Sequence, residues 1–144
     1  VFQEYSLLPG MNILENVCVP GMCLGRNGNV KKRAIGLLHM VGLEERLSHQ
    51  PNEVSGGEQQ RAAIARALIN QPRILFADEP TASLDLVSSR IVLELFKRLN
   101  RELGQTIIMV THEPEDRKYV DRVIWLKDGQ IESEEGAGPP VFVS

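Results

Sequence analysis

The residues that could do chemistry fall into clusters that follow one another along the chain. The first is Ser55-Gly56-Gly57-Glu58, and the second is Asp78-Glu79 at the end of the apolar run Ile74-Leu75-Phe76-Ala77. Ser55 has the side chain of a helix N-cap, and Glu58, three residues on, completes a capping box. The bare turn between them is also a helix start whose unpaired N–H groups and positive dipole end favour an anion such as a phosphate. Taken alone, the four residues are better explained as a cap.

The second cluster shifts that balance. An apolar run with no polar face is predicted to be a strand buried on both sides in a parallel sheet. Open α/β sheets place their ligands at the carboxyl ends of such strands. Strand alternation would turn Asp78 and Glu79 to opposite faces, so that one could hold a hydrated magnesium ion while the other faces an attacking water. The bland alternative, solvated acids opening a loop, does not account for the apolar strand that leads into the pair. His112 follows a second apolar run, Thr106 to Val110, also predicted as a buried strand. A lone histidine is usually structural; its place after a strand, as with the acids, sets this one apart.

In this order the motifs resemble those of the ATP-binding cassette ATPases, the motor subunits of ABC transporters. Val54-Ser55-Gly56-Gly57-Glu58 resembles the signature motif, Ile74 to Glu79 the Walker B segment with its terminal glutamate, and Ser83-Leu84-Asp85 the D-loop. His112 resembles the switch histidine, and Gln3, after Val1-Phe2, the Q-loop glutamine. Val54 and Glu58 stand where the family more often has Leu and Gln. The stretch from Leu7 to Val17 is similar to cassettes of the lipoprotein-release and macrolide-export branch. The resemblance covers nearly the whole chain.

That resemblance implies an α/β fold, a partial P-loop NTPase domain with a parallel sheet core and a helical subdomain. It also implies an ATP-hydrolysing subunit that powers translocation of a substrate across a membrane, with ATP and Mg²⁺ bound. Asp78, with Gln3, would hold the metal, Glu79 would be the general base and His112 would contact the γ-phosphate. Ser55, Gly56, Gly57 and Glu58 would close on nucleotide held by a second nucleotide-binding domain in a head-to-tail dimer, and Asp85 would couple the two sites. Transmembrane permease subunits would be the other partners, placing the protein in the cytoplasm, peripheral on the inner face of the membrane.

One departure is large. A phosphate loop, GxxxxGK followed by Ser or Thr, supplies the amides and lysine that cradle phosphates, and no segment of this sequence contains it. Gly25-Arg26-Asn27-Gly28 is the nearest glycine cluster and lacks the spacing and the lysine. The expectation is therefore an N-terminally truncated chain without the phosphate-loop strand, inactive as an ATPase by itself. The alternatives are a non-catalytic fragment or regulatory module that pairs with a complete cassette, and a non-transport ATPase of the same family. Against the last, the signature and Walker B lie close together, with no coiled-coil heptads and no zinc-type cysteines.

Composition is that of an ordinary soluble domain: 144 residues, 42% hydrophobic and 24% charged, with a formal charge of −3. This charge argues against a nucleic-acid surface. The one basic cluster, Lys31-Lys32-Arg33, reads as a solvated helix face. Cys18 and Cys23 lack histidine ligands nearby and read as reduced, buried thiols. No run approaches the roughly 20 apolar residues that span a bilayer, so any membrane role passes through a partner.

The elements that must position these groups follow from capping and periodicity. Asn12 to Glu15 has capping-box spacing, with a helix to Val19 that Pro20-Gly21 breaks. Gly25 to Asn29 reads as a turn. Val30 to Val41 is helical with Gly42 past its end, and Glu44 to Ser48 makes one more turn. The signature helix ends near Asn70, because Pro72 cannot continue it. Leu86 to Leu103 is the clearest helix: Val87, Ile91, Val92, Leu95, Phe96, Leu99 and Leu103 form a stripe read as core, closed by Gly104. Glu113 to Val120 reads as a short helix, and Arg122 to Glu132 as a hairpin turning on Asp128-Gly129. Residues 1–135 would form an incomplete nucleotide-binding domain, with 7–60 helical and 61–135 carrying Walker B to the hairpin; 136–144 would be a loosely ordered tail.

Overall fold

The computed structural model describes residues 1–24 and 29–136. They divide into two compact units with the boundary between Thr111 and His112. The glycine cluster Gly25–Gly28 and residues 137–144 of the expected tail lie outside the described residues, while Gly136, expected to open that tail, ends the last strand, Gln130–Gly136.

The first unit holds helices α1 (Ile13–Cys23), α2 (Val30–Met40), α3 (Gly56–Leu68) and α4 (Leu86–Leu103), with strands β1 (Ile74–Asp78) and β2 (Thr106–Val110). Short 3₁₀ turns at Glu44–Arg46 and Pro51–Glu53 connect α2 to α3. Asn12 caps α1 with both halves of its capping box formed, as its spacing predicts. The helix does not stop at Pro20 but runs through it to Cys23. Tertiary packing overrides the proline: Gly21 is buried so closely under Val30 that a Cβ there would lie 2.9 Å from its Cγ1. The Pro20 carbonyl also accepts from Asn70 Nδ2 at 3.0 Å. Past α2, Gly42 adopts φ +70, the left-handed conformation that ends a helix without a Cβ penalty.

α1 packs on α2 and α3, and α3 on α4. Ile13, Val17, Leu38, Leu43, Ile64 and Leu99 are almost fully buried in one continuous core. Asn16 is buried among them and satisfied, its Oδ1 accepting from Leu8 N at 2.7 Å and its Nδ2 donating to the Met11 carbonyl at 2.9 Å. It thereby fixes the loop that leads into α1.

β1 and β2 pair in parallel, with Phe76 opposite Ile108 and Asp78 opposite Val110. On the other side of β1, Val1 N donates to the Phe76 carbonyl at 2.7 Å, and Asp78 N donates to the Val1 carbonyl at 2.9 Å. That is the bonding pattern of a parallel strand. Leu75 and Ala77 face the core with Val92, Leu95, Phe96 and Leu99 of α4. The other face departs from the expectation of strands buried on both sides. Phe76 is 63%, Ile108 46% and Val110 59% exposed, because within this unit no described element lies over them. The stripe of α4 is corrected in the same way. Val92, Leu95, Phe96 and Leu99 are buried, whereas Val87, Ile91 and Leu103 are exposed. Its apolar arc is wider than the single face the first unit covers.

The second unit begins at His112 and contains a 3₁₀ segment (Pro114–Tyr119) and the antiparallel strands β3 (Arg122–Lys127) and β4 (Gln130–Gly136). Asp128 and Gly129 have φ of +51 and +76, which suits the expected two-residue turn. Arg122 Nε lies 2.6 Å from Glu134 Oε1 across the ladder.

Candidate functional site

The start of α3 is built as its sequence predicts. Ser55 Oγ accepts from Glu58 N at 3.3 Å, and Glu58 Oε2 accepts from Ser55 N at 2.8 Å. Glu58 Oε1 also meets Arg46 Nε at 3.0 Å. The Ser55 N–H bond, with help from the serine hydroxyl and Arg46, holds the Glu58 carboxyl below its ordinary pKa. Within the chain, then, Ser55 and Glu58 act as a cap. Gly56 and Gly57 are the next two residues, and their N–H groups have no acceptor inside the helix.

The glycines answer to packing as well. A Cβ on Gly56 would lie 2.6 Å from the Tyr5 hydroxyl, and one on Gly57 would lie 2.7 Å from Ser88 Oγ and 2.9 Å from Ser88 Cβ. Only a helix start without side chains can be gripped between the segment after Gln3 and the first turn of α4. The Arg66 guanidinium secures that segment further, donating to the Tyr5 carbonyl at 3.0 Å and the Ser6 carbonyl at 2.6 Å. Burial raises the Tyr5 phenol pKa.

Asp85 is the N-cap of α4. Its Oδ1 accepts from Val87 N at 2.9 Å and Ser88 N at 3.0 Å, and its Oδ2 from Ser88 Oγ at 2.7 Å. These bonds, the Ser88 N–H first, hold its carboxyl below the usual range. The Ser88 that Asp85 orients is the residue that closes over Gly57, so the D-loop-like and signature-like segments meet through one serine.

At the carboxyl edge of the sheet, the strand bonds of Val1 place Gln3 just past the end of one strand, and Asp78-Glu79 end the next. Gln3 and Asp78 are exposed and Glu79 is half-buried. Strand alternation does not continue through the acid pair. Glu79 has φ +43, a left-handed conformation costly for a side chain with a Cβ. Its N–H still donates to the Val110 carbonyl of β2 at 2.8 Å. The acids are therefore separated by a turn of the backbone rather than by the pleat.

His112 is the first residue of the second unit, and its Nε2 lies 3.2 Å from Glu113 Oε1. Gln3, Asp78 and Glu79 are thus brought to one edge of the first unit, with Ser55, Gly56, Gly57, Glu58 and Asp85 around the start of α3; His112 belongs to the other unit. The cysteines divide: Cys18 is buried, which raises its thiol pKa, whereas Cys23 is exposed at the end of α1, not buried as expected. Sequence reasoning passed over Gln60, Asn16 and Arg66. The signal for Gln60 was its position, on the same helical face as Gly57 and Ile64, where an apolar residue belongs.

Among the described residues there is no group of three or more His, Cys, Asp or Glu able to hold a metal by themselves. Mg²⁺ does not need one, since it is usually bound by one or two carboxylates together with waters and substrate phosphates. The hard oxygen donors of Asp78 and Gln3 at an open edge fit that mode. No helix among the described residues is long and apolar enough to cross a membrane.

A glycine-opened helix set beside a parallel sheet whose carboxyl edge carries a glutamine and an acid pair matches the arrangement expected of an ATP-binding cassette. Residues 1–82 match the family described as ABC transporter, and the chain belongs to that family. It is 52% identical over 135 residues to the macrolide export ATP-binding/permease protein MacB of Chlorobium phaeobacteroides, covering 94% of this chain and 20% of that protein. It is also 52% identical over 132 residues to an uncharacterized ABC transporter ATP-binding protein of Methanocaldococcus jannaschii, covering 91% of this chain and 58% of that one. A solved structure, the dimeric post-hydrolysis state of the ATP-binding cassette MJ0796 bound to ADP and Pi, superimposes with a TM-score of 0.78 at 43% identity. That match covers 94% of this chain and 61% of the solved one. The chain spans less than two thirds of each of these relatives. The expected family, its likeness to the lipoprotein-release and macrolide-export branch, and the α/β class with a parallel sheet are borne out.

Proposed function

We propose that these residues serve the ATP-hydrolysing subunit of an ABC transporter and supply the hydrolytic edge and the signature helix of its composite site. The observation that supports this most is the alignment of strand ends. Hydrogen bonds from Val1 to β1, and from Glu79 to β2, bring Gln3 and the acid pair to one edge.

In this reading Glu79 is the general base that takes a proton from the attacking water. Asp78 and Gln3 would hold Mg²⁺, and His112 would contact the γ-phosphate. When bound, the metal neutralises charge that develops on the transferred phosphoryl group. The N–H groups of Gly56 and Gly57 bind phosphate oxygens of nucleotide seated on a second nucleotide-binding domain in a head-to-tail dimer, while Asp85 couples the two sites through α4. Positioning and charge stabilisation dominate phosphoryl transfer. This sequence has no phosphate loop, so the chain by itself binds ATP weakly and does not turn it over.

Membrane permease subunits are the other partners, reached through the helical region 7–60 on the cytoplasmic side. A groove along α1, lined by Met11, Leu14, Cys18, Val19 and Met22 with Asn12, Glu15 and Lys31 among them, would be the docking surface in this reading. The relatives named for macrolide export point to an export system in which the membrane subunit chooses the compound.

The test is Glu79→Gln in the complete ATP-binding subunit. ATP binding is retained and hydrolysis abolished; retained turnover would move the base elsewhere.

A further inference from the structure

Gln60 lies on α3, just past the signature-like turn, and its side chain is fully buried. A glutamine is seldom placed in a core, where a polar group must find partners. This one finds them only on one side of its amide. Nε2 donates to the Pro80 carbonyl at 2.6 Å and to the Phe2 carbonyl at 3.3 Å, while Oε1 is buried without a partner among the described residues. An unmet buried acceptor is a net cost that an apolar side chain of the same length would avoid. The gain must therefore lie in what the two donors hold.

They hold the backbone on either side of the hydrolytic edge. The Phe2 carbonyl belongs to the peptide that enters Gln3, and the Pro80 carbonyl follows Glu79 by one residue. Strand bonding secures the sheet as far as Asp78, through Asp78 N to the Val1 carbonyl at 2.9 Å. Beyond that point the chain leaves the strand, with Glu79 in its left-handed conformation, φ +43. A residue in that region persists only where its surroundings over-determine it. On one side the bond from Glu79 N to the Val110 carbonyl at 2.8 Å supplies this, and on the other the turn bond from Ala82 N to the Glu79 carbonyl at 3.2 Å does so together with the Gln60 amide on the Pro80 carbonyl.

We propose that Gln60 is a positioning residue for hydrolysis: its buried amide locks the peptides next to Gln3 and Glu79 to the signature helix, so that all three keep one geometry. The proposal rests on the assignment of Glu79 as the base. A shift of the Pro80 peptide would re-aim the Glu79 carboxylate, and loss of the Phe2 bond would free Gln3 independently. Gln60 is fully buried behind these peptides, so its loss alters turnover and leaves ATP binding nearly unchanged.

The experiment uses the complete ATP-binding subunit assembled with its membrane subunit. Gln60→Met keeps the length of the side chain and removes both donors and the orphan acceptor. Expected are a fall in kcat of about 10- to 100-fold, as for a small misplacement of a reacting group, and a KM for ATP within about twofold of the unsubstituted protein. In the Glu79→Gln background, where hydrolysis is abolished, the same substitution leaves ATP binding within about twofold. Gln60→Leu, read in the same way, guards against a folding defect peculiar to methionine. A kcat near that of the unsubstituted protein, a loss seen only in KM, or a loss of ATP binding in the Glu79→Gln background would overturn the proposal. So would failure of both variants to fold, which would make Gln60 a structural residue. If Glu79→Gln itself keeps full turnover, the base assignment fails; if Glu79→Gln is dead and Gln60→Met is fully active, only the role of Gln60 fails.

Discussion

The Tyr5 hydroxyl occupies the space a side chain on Gly56 would need, with an added Cβ falling 2.6 Å from it and 3.4 Å from Tyr5 Cζ. The segment after Gln3 is therefore seated directly on the first turn of the signature helix.

Gly56→Ala should destabilise the chain by about 1–3 kcal/mol through overpacking. Tyr5→Phe removes the hydroxyl and leaves the ring at ordinary contact distance, so in the Gly56→Ala background it should recover most of that loss. Thermal or denaturant unfolding of the four proteins of this cycle measures the coupling. Additive effects would show that the two residues do not meet.

The cap at Ser55 makes stability depend on acid. Glu58 has a depressed pKa in the folded chain, held first by the Ser55 N–H. Its contribution is present in full above the ordinary carboxylate range, at roughly pH 4–5 and higher, and is lost as pH falls through the lower folded value. Ser55→Ala should cost about 1 kcal/mol at neutral pH. Glu58→Gln should flatten the acid limb of an unfolding profile taken from pH 6 downwards. An unchanged acid limb would count against the cap.

Glu79 carries backbone strain at the end of β1. Its φ of +43 is comfortable for glycine or asparagine and costs about 1–3 kcal/mol for other residues. Glu79→Asn should leave the chain as stable or up to about 1 kcal/mol more stable, while turnover of the complete subunit disappears. Calorimetry and an ATPase assay on the same preparations check the pair of effects; a clear loss of stability would contradict the strain.

The uncovered sheet face should dominate behaviour in solution. Phe76, Ile108 and Val110 are exposed side by side on β1 and β2, and the outer edge of β2 is unpaired among the described residues. Apolar faces and open edges of this kind favour self-association. Ile108→Thr with Val110→Thr should raise the soluble fraction and reduce concentration-dependent light scattering, with little change in melting temperature. Scattering that does not respond would place the sticky surface elsewhere.

Local interactions left clear marks in the sequence. The caps of α1 and α3, the glycine past α2, the hairpin turn at Asp128-Gly129 and the strand that ends in Asp78-Glu79 are each set by a few neighbouring residues, whose hydrogen bonds and backbone preferences act at short range. The motifs Ser55 to Glu58 and Asp78-Glu79 were legible for the same reason, and Asp85 through the resemblance of Ser83-Leu84-Asp85 to a D-loop. Contacts between distant segments decided the rest. Pro20 stays inside a helix because Val30 and Asn70 pack on that turn. β1 and β2 read as buried strands because hydrophobicity records what a face prefers, not whether anything covers it. Gln60 looked like one more polar helix residue until the fold brought the Phe2 and Pro80 carbonyls, 58 and 20 positions away, to its amide. Residue types determine which groups can bond, but which of them meet across such separations is determined only when the chain closes its core.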